Sequence, residues 1–335
     1  MQAAIYGLAG PVLTDDEASF FRDADPAGYI LFARNCQTRD QLTALTASLR
    51  SLHSRNDLPI LIDQEGGRVA RLRPPEWPAF PANEALDRLY QLAPSSAMKA
   101  AQWNARAIGL TLAEVGITVD CLPMLDVRQP GASDIVGDRS LGDKPMQVAA
   151  LGRAQLDGLA SAGVVGVIKH IPGHGRALVD SHLELPFVDA NENELAVDLE
   201  PFQRLALAPM AMASHVVYRT WDPALPASQS PTVIATIIRD RIGFTGFLMT
   251  DDIGMDALSG EYGERAAACI AAGCDAALHC SGKFDEMLLV AAATPALSAE
   301  GEERLARAMA TRTPDEAGMT LAEAIDTRDR LLALA

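Results

Sequence analysis

No run of lysine or arginine breaks this sequence: 28 Lys and Arg face 44 Asp and Glu, for a formal net charge of −16. A chain that grips nucleic acid through its phosphates carries a basic face, so nucleic acid is not expected as a partner. The same deficit argues against docking on an anionic membrane surface, and the acidity itself reads as an ordinary solubility charge. The five cysteines (Cys36, Cys121, Cys269, Cys274 and Cys280) are odd in number and form no CxxC pair. They read as reduced thiols rather than a disulfide framework. No segment is apolar for long enough to make a membrane helix, and the opening Met1-Gln2-Ala3-Ala4-Ile5-Tyr6-Gly7 has no basic stretch of the kind that starts a signal peptide. A cytoplasmic protein with no membrane partner is the expectation. Tandem repeats, low-complexity tracts and obvious linkers are also missing, as is a glycine-rich phosphate turn after the first β-rich run, which disfavours a doubly wound open sheet.

What is present is a chain of 335 residues with 49% hydrophobic content and a mean hydropathy of +0.07. That is enough for a large buried core and is a common size for a one-domain α/β barrel. Eight short β-rich runs recur, at 3–8, 28–32, 59–63, 117–122, 164–169, 210–214, 246–250 and 275–279. Segments with apolar residues at helical spacing lie between them, among them 41–52, 95–115, 145–162, 192–207 and 262–272. Strands rich in Val, Ile, Leu and Ala with little polar alternation predict a parallel sheet covered on both faces. Eight such strands alternating with helices predict a closed (β/α)8 barrel as a single catalytic domain over 1–335, with extra helices after about residue 300. Thr14-Asp15-Asp16-Glu17 opens one helix, and Gly163 and Gly273 end two others.

Barrel active sites lie at the C-terminal ends of the strands, and there the unusual polar residues collect. Asp63 closes the third strand, Lys169-His170 the fifth, Ser214-His215 the sixth and Asp251-Asp252 the seventh. A buried strand running into Asp63-Gln64-Glu65-Gly66-Gly67-Arg68 is costly unless those charges pair or meet a ligand; the two glycines permit a sharp turn or a close backbone approach. Asp251 at the end of an apolar strand is well placed for a fixed nucleophile, while Asp252 next to it can cap the following turn. Arg139, in Gly137-Asp138-Arg139-Ser140 near Asp126, can clamp hydroxyls or a carboxylate with its planar fork, or pair locally with Asp138 or Asp134.

Lys169-His170-Ile171-Pro172-Gly173-His174-Gly175-Arg176, followed by Asp180-Ser181-His182, holds three of the six histidines. His170, His174, Asp180 and His182 could form a metal-ligand set. Against that, the Pro and Gly residues have their own backbone demands, and no helix presents histidines at i and i+4. Asp180 two residues before His182 offers another use, a carboxylate that orients an imidazole and supports its protonated form.

In order along the chain, Gly28-Tyr29-Ile30-Leu31-Phe32-Ala33-Arg34-Asn35, IDQEGGRVARL at 62–72, GDRS at 137–140, KHIPGHG at 169–175, DSH at 180–182, SHVVY at 214–218 and TDDIGM at 250–255 resemble glycoside hydrolase family 3. The resemblance is to its bacterial β-N-acetylhexosaminidase (NagZ-type) branch, and it runs to about residue 280. It implies a retaining double displacement in which Asp251 forms a glycosyl-enzyme intermediate and His182, held by Asp180, serves as acid and base in place of the usual second carboxylate. It also implies that Asp63, Arg71, Arg139, Lys169 and His170 bind the sugar, with His215 and Arg68 as further candidates beside them. No metal and no cofactor are implied. The implied substrate is a small GlcNAc-containing muropeptide, GlcNAc-β-1,4-(anhydro)MurNAc with or without peptide, met in cytoplasmic cell-wall recycling by a monomeric enzyme. Ile171, Leu141, Thr250 and Gly254 depart from the branch's usual residues and bear on pocket shape. Phosphorolysis on the same scaffold and a metal-dependent barrel hydrolase stand as alternatives.

Overall fold

A computed structural model describes residues 1–53, 55, 57–131, 136–181, 183–314 and 318–335. Its strands are β1 (Gln2–Gly7), β2 (Pro26–Leu31), β3 (Ile60–Ile62), β4 (Val119–Asp120), β5 (Val165–Ile171), β6 (Phe187–Val188), β7 (Met210–Ala213), β8 (Val217–Tyr218), β9 (Phe247–Asp252) and β10 (Ala276–His279). The helices are α1 (Asp15–Ala24), α2 (Arg39–His53), α3 (Asn83–Leu92), α4 (Pro94–Glu114), α5 (Pro145–Ser161), α6 (Glu192–Arg204), α7 (Tyr262–Ala272), α8 (Phe284–Ala293), α9 (Ala299–Met309) and α10 (Leu321–Leu332), with a π-wound helix at Val233–Arg241. Strands β1, β2, β3, β4, β5, β7, β9 and β10 close in that order into a parallel barrel. The expected (β/α)8 fold is therefore present. β6 and β8 form a separate two-stranded ribbon on the rim; two-residue strands leave no periodic trace in a sequence.

Side chains alternate along each strand, and this sorts the barrel residues into two buried sets. Ala3, Ile5, Ile30, Leu61, Val119, Val165, Val167, Met210, Met212, Phe247, Met249, Ala276 and Leu278 cluster together and fill the lumen. Ala4, Tyr6, Tyr29, Leu31, Ile60, Ile62 and Ala277 face the helices instead. The lumen is therefore a packed core, closed at its lower end by Leu305, Ala308 and Met309 of α9. An Arg304–Asp275 ion pair at 2.7 Å ties α9 to the start of β10, and α10 docks on α4, where Arg328 meets Asn104 at 3.2 Å.

Local signals account for the helix ends. Thr14 and Glu17 cap α1 reciprocally. Gly273, at φ +114°, ends α7 in the left-handed region.

Candidate active site

Continuing the inward alternation one step past the apolar lumen places Phe32 after Ile30, Asp63 after Leu61, Lys169 after Val167, Asp251 after Met249 and Cys280 after Leu278. All five line one cavity of about 330 Å³ at the C-terminal mouth of the barrel, together with Glu65, Arg68, Arg71, Arg139, His170 and Asp252. The top layer of the lumen thus brings in three charged side chains, Asp63, Lys169 and Asp251, above the hydrocarbon. A larger groove of about 920 Å³ runs between α1 and α8, away from this mouth, and no His, Lys or Arg lines it.

The floor of the cavity is an ion network. Lys169, 1% exposed, lies 2.9 Å from Asp63 Oδ1 and 2.6 Å from Glu65 Oε1. Arg71 donates to Asp63 Oδ2 at 3.0 Å, and the Arg139 fork donates to both Glu65 oxygens at 2.9 and 2.8 Å. Burial alone would raise both carboxyls. For Asp63 the charges of Lys169 and Arg71 override it and hold the group well below the usual carboxylate range; for Glu65, Arg139 and Lys169 bring it to about 2. Burial likewise works against the Lys169 ammonium, yet Asp63 and Glu65 keep it charged and raise it above its ordinary value.

The loop after β3 is held by its own backbone. Gln64 accepts from the amides of Arg71 (2.8 Å) and Leu72 (3.0 Å), and its own amide donates to Asp120 Oδ1 at 3.0 Å. Gly66 sits at φ +98°, and a Cβ there would strike the Pro81 carbonyl. The Arg71 guanidinium stacks on the Phe32 ring, 5.1 Å from its centroid.

On the opposite wall, the Asp252 amide donates to Asp251 Oδ1 at 2.9 Å, and Asp251 Oδ2 lies 3.9 Å from His170 Nε2. Asp252 caps the turn, accepting from Gly254 N (2.9 Å) and Cys280 N (3.1 Å). The register of β5 against β7 slips between Lys169 and Ile171, and such an irregularity re-aims side chains. Lys169 and His170, consecutive residues, both reach the cavity. His170 Nδ1 lies 2.7 Å from Asp126 Oδ2, while Asp126 Oδ1 accepts from the amides of His170 (3.3 Å) and His174 (2.6 Å). Burial alone would raise the Asp126 carboxyl, but His170 and these bonds hold it at about 2.

Of the residues singled out in the sequence, Asp63, Arg68, Arg71, Arg139, Lys169, His170 and Asp251 share this cavity. Arg139 pairs with Glu65, and Asp138 is held by Arg68 at 2.7 Å; Asp134 lies outside the described residues. His215 stands behind the wall and not in it. It is fully buried, with Nδ1 2.7 Å from Ser228 Oγ and Nε2 3.0 Å from the Asp252 carbonyl. Both nitrogens are engaged there, so the ring braces the end of β9 directly behind Asp252, a residue of the cavity wall. Asp180 lies half-buried on the loop after β5, its carbonyl accepting from the amides of Leu183 and Glu184. The next residue, Ser181, touches His174 Nε2 through Oγ at 3.3 Å, and its carbonyl accepts from Ala257 N at 3.3 Å. Ser181 is thereby tied to the loop that follows Asp251. His182 itself lies outside the described residues.

Burial pushes His174 down to about 4. Among the described residues no group of three His, Cys, Asp or Glu is arranged to hold a metal ion. Glu65 and Asp126 are the two residues of the network that the sequence did not single out as part of a site. Glu65 was visible only as one of several charges in a loop, and Asp126 sits 44 residues before its histidine partner.

Residues 7–311 match the family described as Glycosyl hydrolase family 3 N terminal domain. The chain belongs to glycosyl hydrolase family 3. Within that family it is 36% identical to the beta-hexosaminidase of Methylococcus capsulatus, over 92% of each chain. It is 38% identical to that of Alkalilimnicola ehrlichii, over 82% of this chain and 79% of the other. NagZ from Neisseria gonorrhoeae superposes with a TM-score of 0.88 at 32% identity, covering 99% of this chain and 98% of that one. The same protein in complex with N-trifluoroacetyl-D-glucosamine gives 0.88 at 31%, covering 100% and 98%. This family 3 chain is thus a glycoside hydrolase of the bacterial NagZ type.

Proposed function

We propose that the enzyme is a retaining, exo-acting β-N-acetylglucosaminidase that releases the non-reducing GlcNAc of peptidoglycan fragments, GlcNAc-β-1,4-anhydroMurNAc with or without peptide, during cytoplasmic cell-wall recycling. The observation that carries the reading is Asp251. It ends β9 at the mouth, its Oδ1 is held by the Asp252 amide, and its Oδ2 faces a cavity lined with fixed cations. In this reading Oδ2 attacks the anomeric carbon, the C1–O bond breaks, and a glycosyl-enzyme ester forms. His182, oriented by Asp180, gives its proton to the departing oxygen; it then takes one from the water that cleaves the ester. Asp63, Arg71, Arg139, Lys169 and His170 bind the sugar hydroxyls, and Arg68 stands at the rim. Ion-paired donors that need no reorganisation are suited to holding a polar ligand in one pose.

A complex of the gonococcal relative with N-trifluoroacetyl-D-glucosamine supports a GlcNAc-type ligand. For the compartment, no described helix is long and apolar enough to cross a membrane. We take the barrel with its terminal helices as a single catalytic domain over 1–335, acting as a monomer without cofactor or metal.

The test is hydrolysis of p-nitrophenyl N-acetyl-β-glucosaminide in phosphate-free buffer with EDTA. Wild type is expected to turn over and Asp251→Ala to lose at least about 10³-fold in kcat. His182→Ala should suffer less on this activated leaving group than on a natural disaccharide. Activity that returns only with phosphate, or only with added metal, would move the mechanism to phosphorolysis or to metal-assisted hydrolysis.

A further inference from the structure

Among the described residues, the Asp126 carboxylate reaches the proposed sugar-binding set by hydrogen bonds through His170. It is fully buried, in the segment after β4 that runs beside β5, where Leu125 N donates to the Lys169 carbonyl at 2.7 Å. Its side-chain contacts with β5 and the loop beyond are His170 N, His170 Nδ1 and His174 N. Two of these are backbone amides and can only donate, so the carboxylate is committed as an acceptor. The remaining contact, 2.7 Å to His170 Nδ1, then requires a proton on that nitrogen. Nε2 is left as the nitrogen on the cavity side, 3.9 Å from Asp251 Oδ2.

We propose that Asp126 is a positioning residue that fixes His170 as the Nδ1–H tautomer, so that the cavity-facing Nε2 accepts a hydrogen bond from a hydroxyl of the bound sugar. This rests on the reading of the cavity as the sugar site. It explains why a carboxylate is buried so deeply beside a residue that is itself at the cavity wall: the carboxylate sets the polarity of the ring and the two amides set its place. A neutral asparagine would keep the shape and reverse the polarity. Its amide N–H would donate to Nδ1 and move the ring proton to Nε2, where it would meet the hydroxyl as a competing donor and turn toward Asp251.

The experiment pairs kinetics with imidazole nitrogen NMR of histidine-labelled full-length enzyme at about pH 8, above the ordinary histidine range of about 6.5, with His170 assigned by loss of its signals in His170→Gln. In wild type Nε2 should be the unprotonated nitrogen, and its resonance should shift when GlcNAc is added. In Asp126→Asn the proton should move to Nε2, and kcat/KM on the aryl GlcNAc should fall at least about tenfold, the scale of a hydrogen bond replaced by an unpaired buried group, read on enzyme whose melting transition shows it folded. A wild-type His170 carrying its proton on Nε2 overturns the proposal, and so does an Asp126→Asn enzyme of wild-type kcat/KM. If Asp126→Asn fails to fold, the wild-type spectrum alone decides. A wild type that neither binds GlcNAc nor cleaves its aryl glycoside removes the sugar reading, and the tautomer remains readable from the spectrum.

Discussion

Replacing Lys169 by methionine keeps the bulk of the side chain and deletes the charge that joins the two halves of the cavity floor. In the native network its ammonium sits 2.9 Å from Asp63 and 2.6 Å from Glu65. Without it, among the described residues Asp63 retains Arg71 and Glu65 retains Arg139 as ion-pair partners. Breaking a buried ion pair by removing one partner costs about 3–5 kcal/mol. Because each carboxylate keeps a guanidinium, the lower end applies, about 3 kcal/mol. An unfolding entropy of about 2.1 cal/mol/K per residue over 335 residues is about 0.7 kcal/mol/K, so the melting temperature should fall by about 4 °C at pH 7. The pH dependence follows from the carboxyls. Glu65 is held at about 2 in the folded enzyme, below its unfolded value of about 4.3. A depressed folded pKa contributes stability that is present above the unfolded value and lost as pH falls toward the folded one. In Lys169→Met that depression shrinks, so the deficit is full at neutral pH and narrows as pH falls through about 4. Scanning calorimetry of both proteins at pH 7 and near pH 4 measures it. An unchanged melting temperature at pH 7, or a deficit that grows on acidification, would refute the account of the floor as a charge-coupled unit.

Two further changes probe how the network is aimed. Gly66→Ala puts a Cβ at φ +98° against the Pro81 carbonyl and should cost at least about 1–2 kcal/mol. It should also lower kcat/KM by displacing Glu65 and Arg71; unchanged melting and unchanged kinetics together would show that the turn is not under this constraint. Arg139→Lys keeps the charge but loses the two-pronged grip on Glu65. KM on the aryl GlcNAc should rise about tenfold, equivalent to about 1.4 kcal/mol, with kcat affected less, and a KM equal to that of wild type counts against Arg139 as a sugar-positioning group.

Strands were the most legible part of the molecule, for a physical reason. Strands of a closed parallel barrel are covered on both faces, so each reads as a short unbroken apolar run, and all eight runs correspond to strands. The lengths were less legible. Expected strand 117–122 is regular only at Val119–Asp120, although its backbone bonds run on: Cys121 N donates to the Ile62 carbonyl, and Val167 N and Lys169 N donate to the carbonyls of Leu122 and Pro123. The site was legible at strand ends, where a charge after an apolar run has one economical explanation. What sequence could not supply was direction and partner. Asp251 and His215 both follow apolar strand runs, yet the first faces the cavity and the second turns back to Ser228 and the Asp252 carbonyl.

Partner choice failed in the same way for Glu65. Four charged residues lie between Asp63 and Arg71, counting both ends, and spacing alone does not say which carboxylate turns inward. The fold decides it by hydrogen-bonding Gln64 to Asp120 and by turning the backbone at Gly66, which delivers Glu65 to Lys169 and Arg139 from strands and loops far away in the chain. Asp126 is the extreme case, since nothing near it in sequence contains His170. Residues that touch the ligand sit at recognisable places on the strands, whereas residues that orient them are chosen by tertiary proximity, and only the folded chain pairs Asp126 with His170 and Glu65 with Arg139.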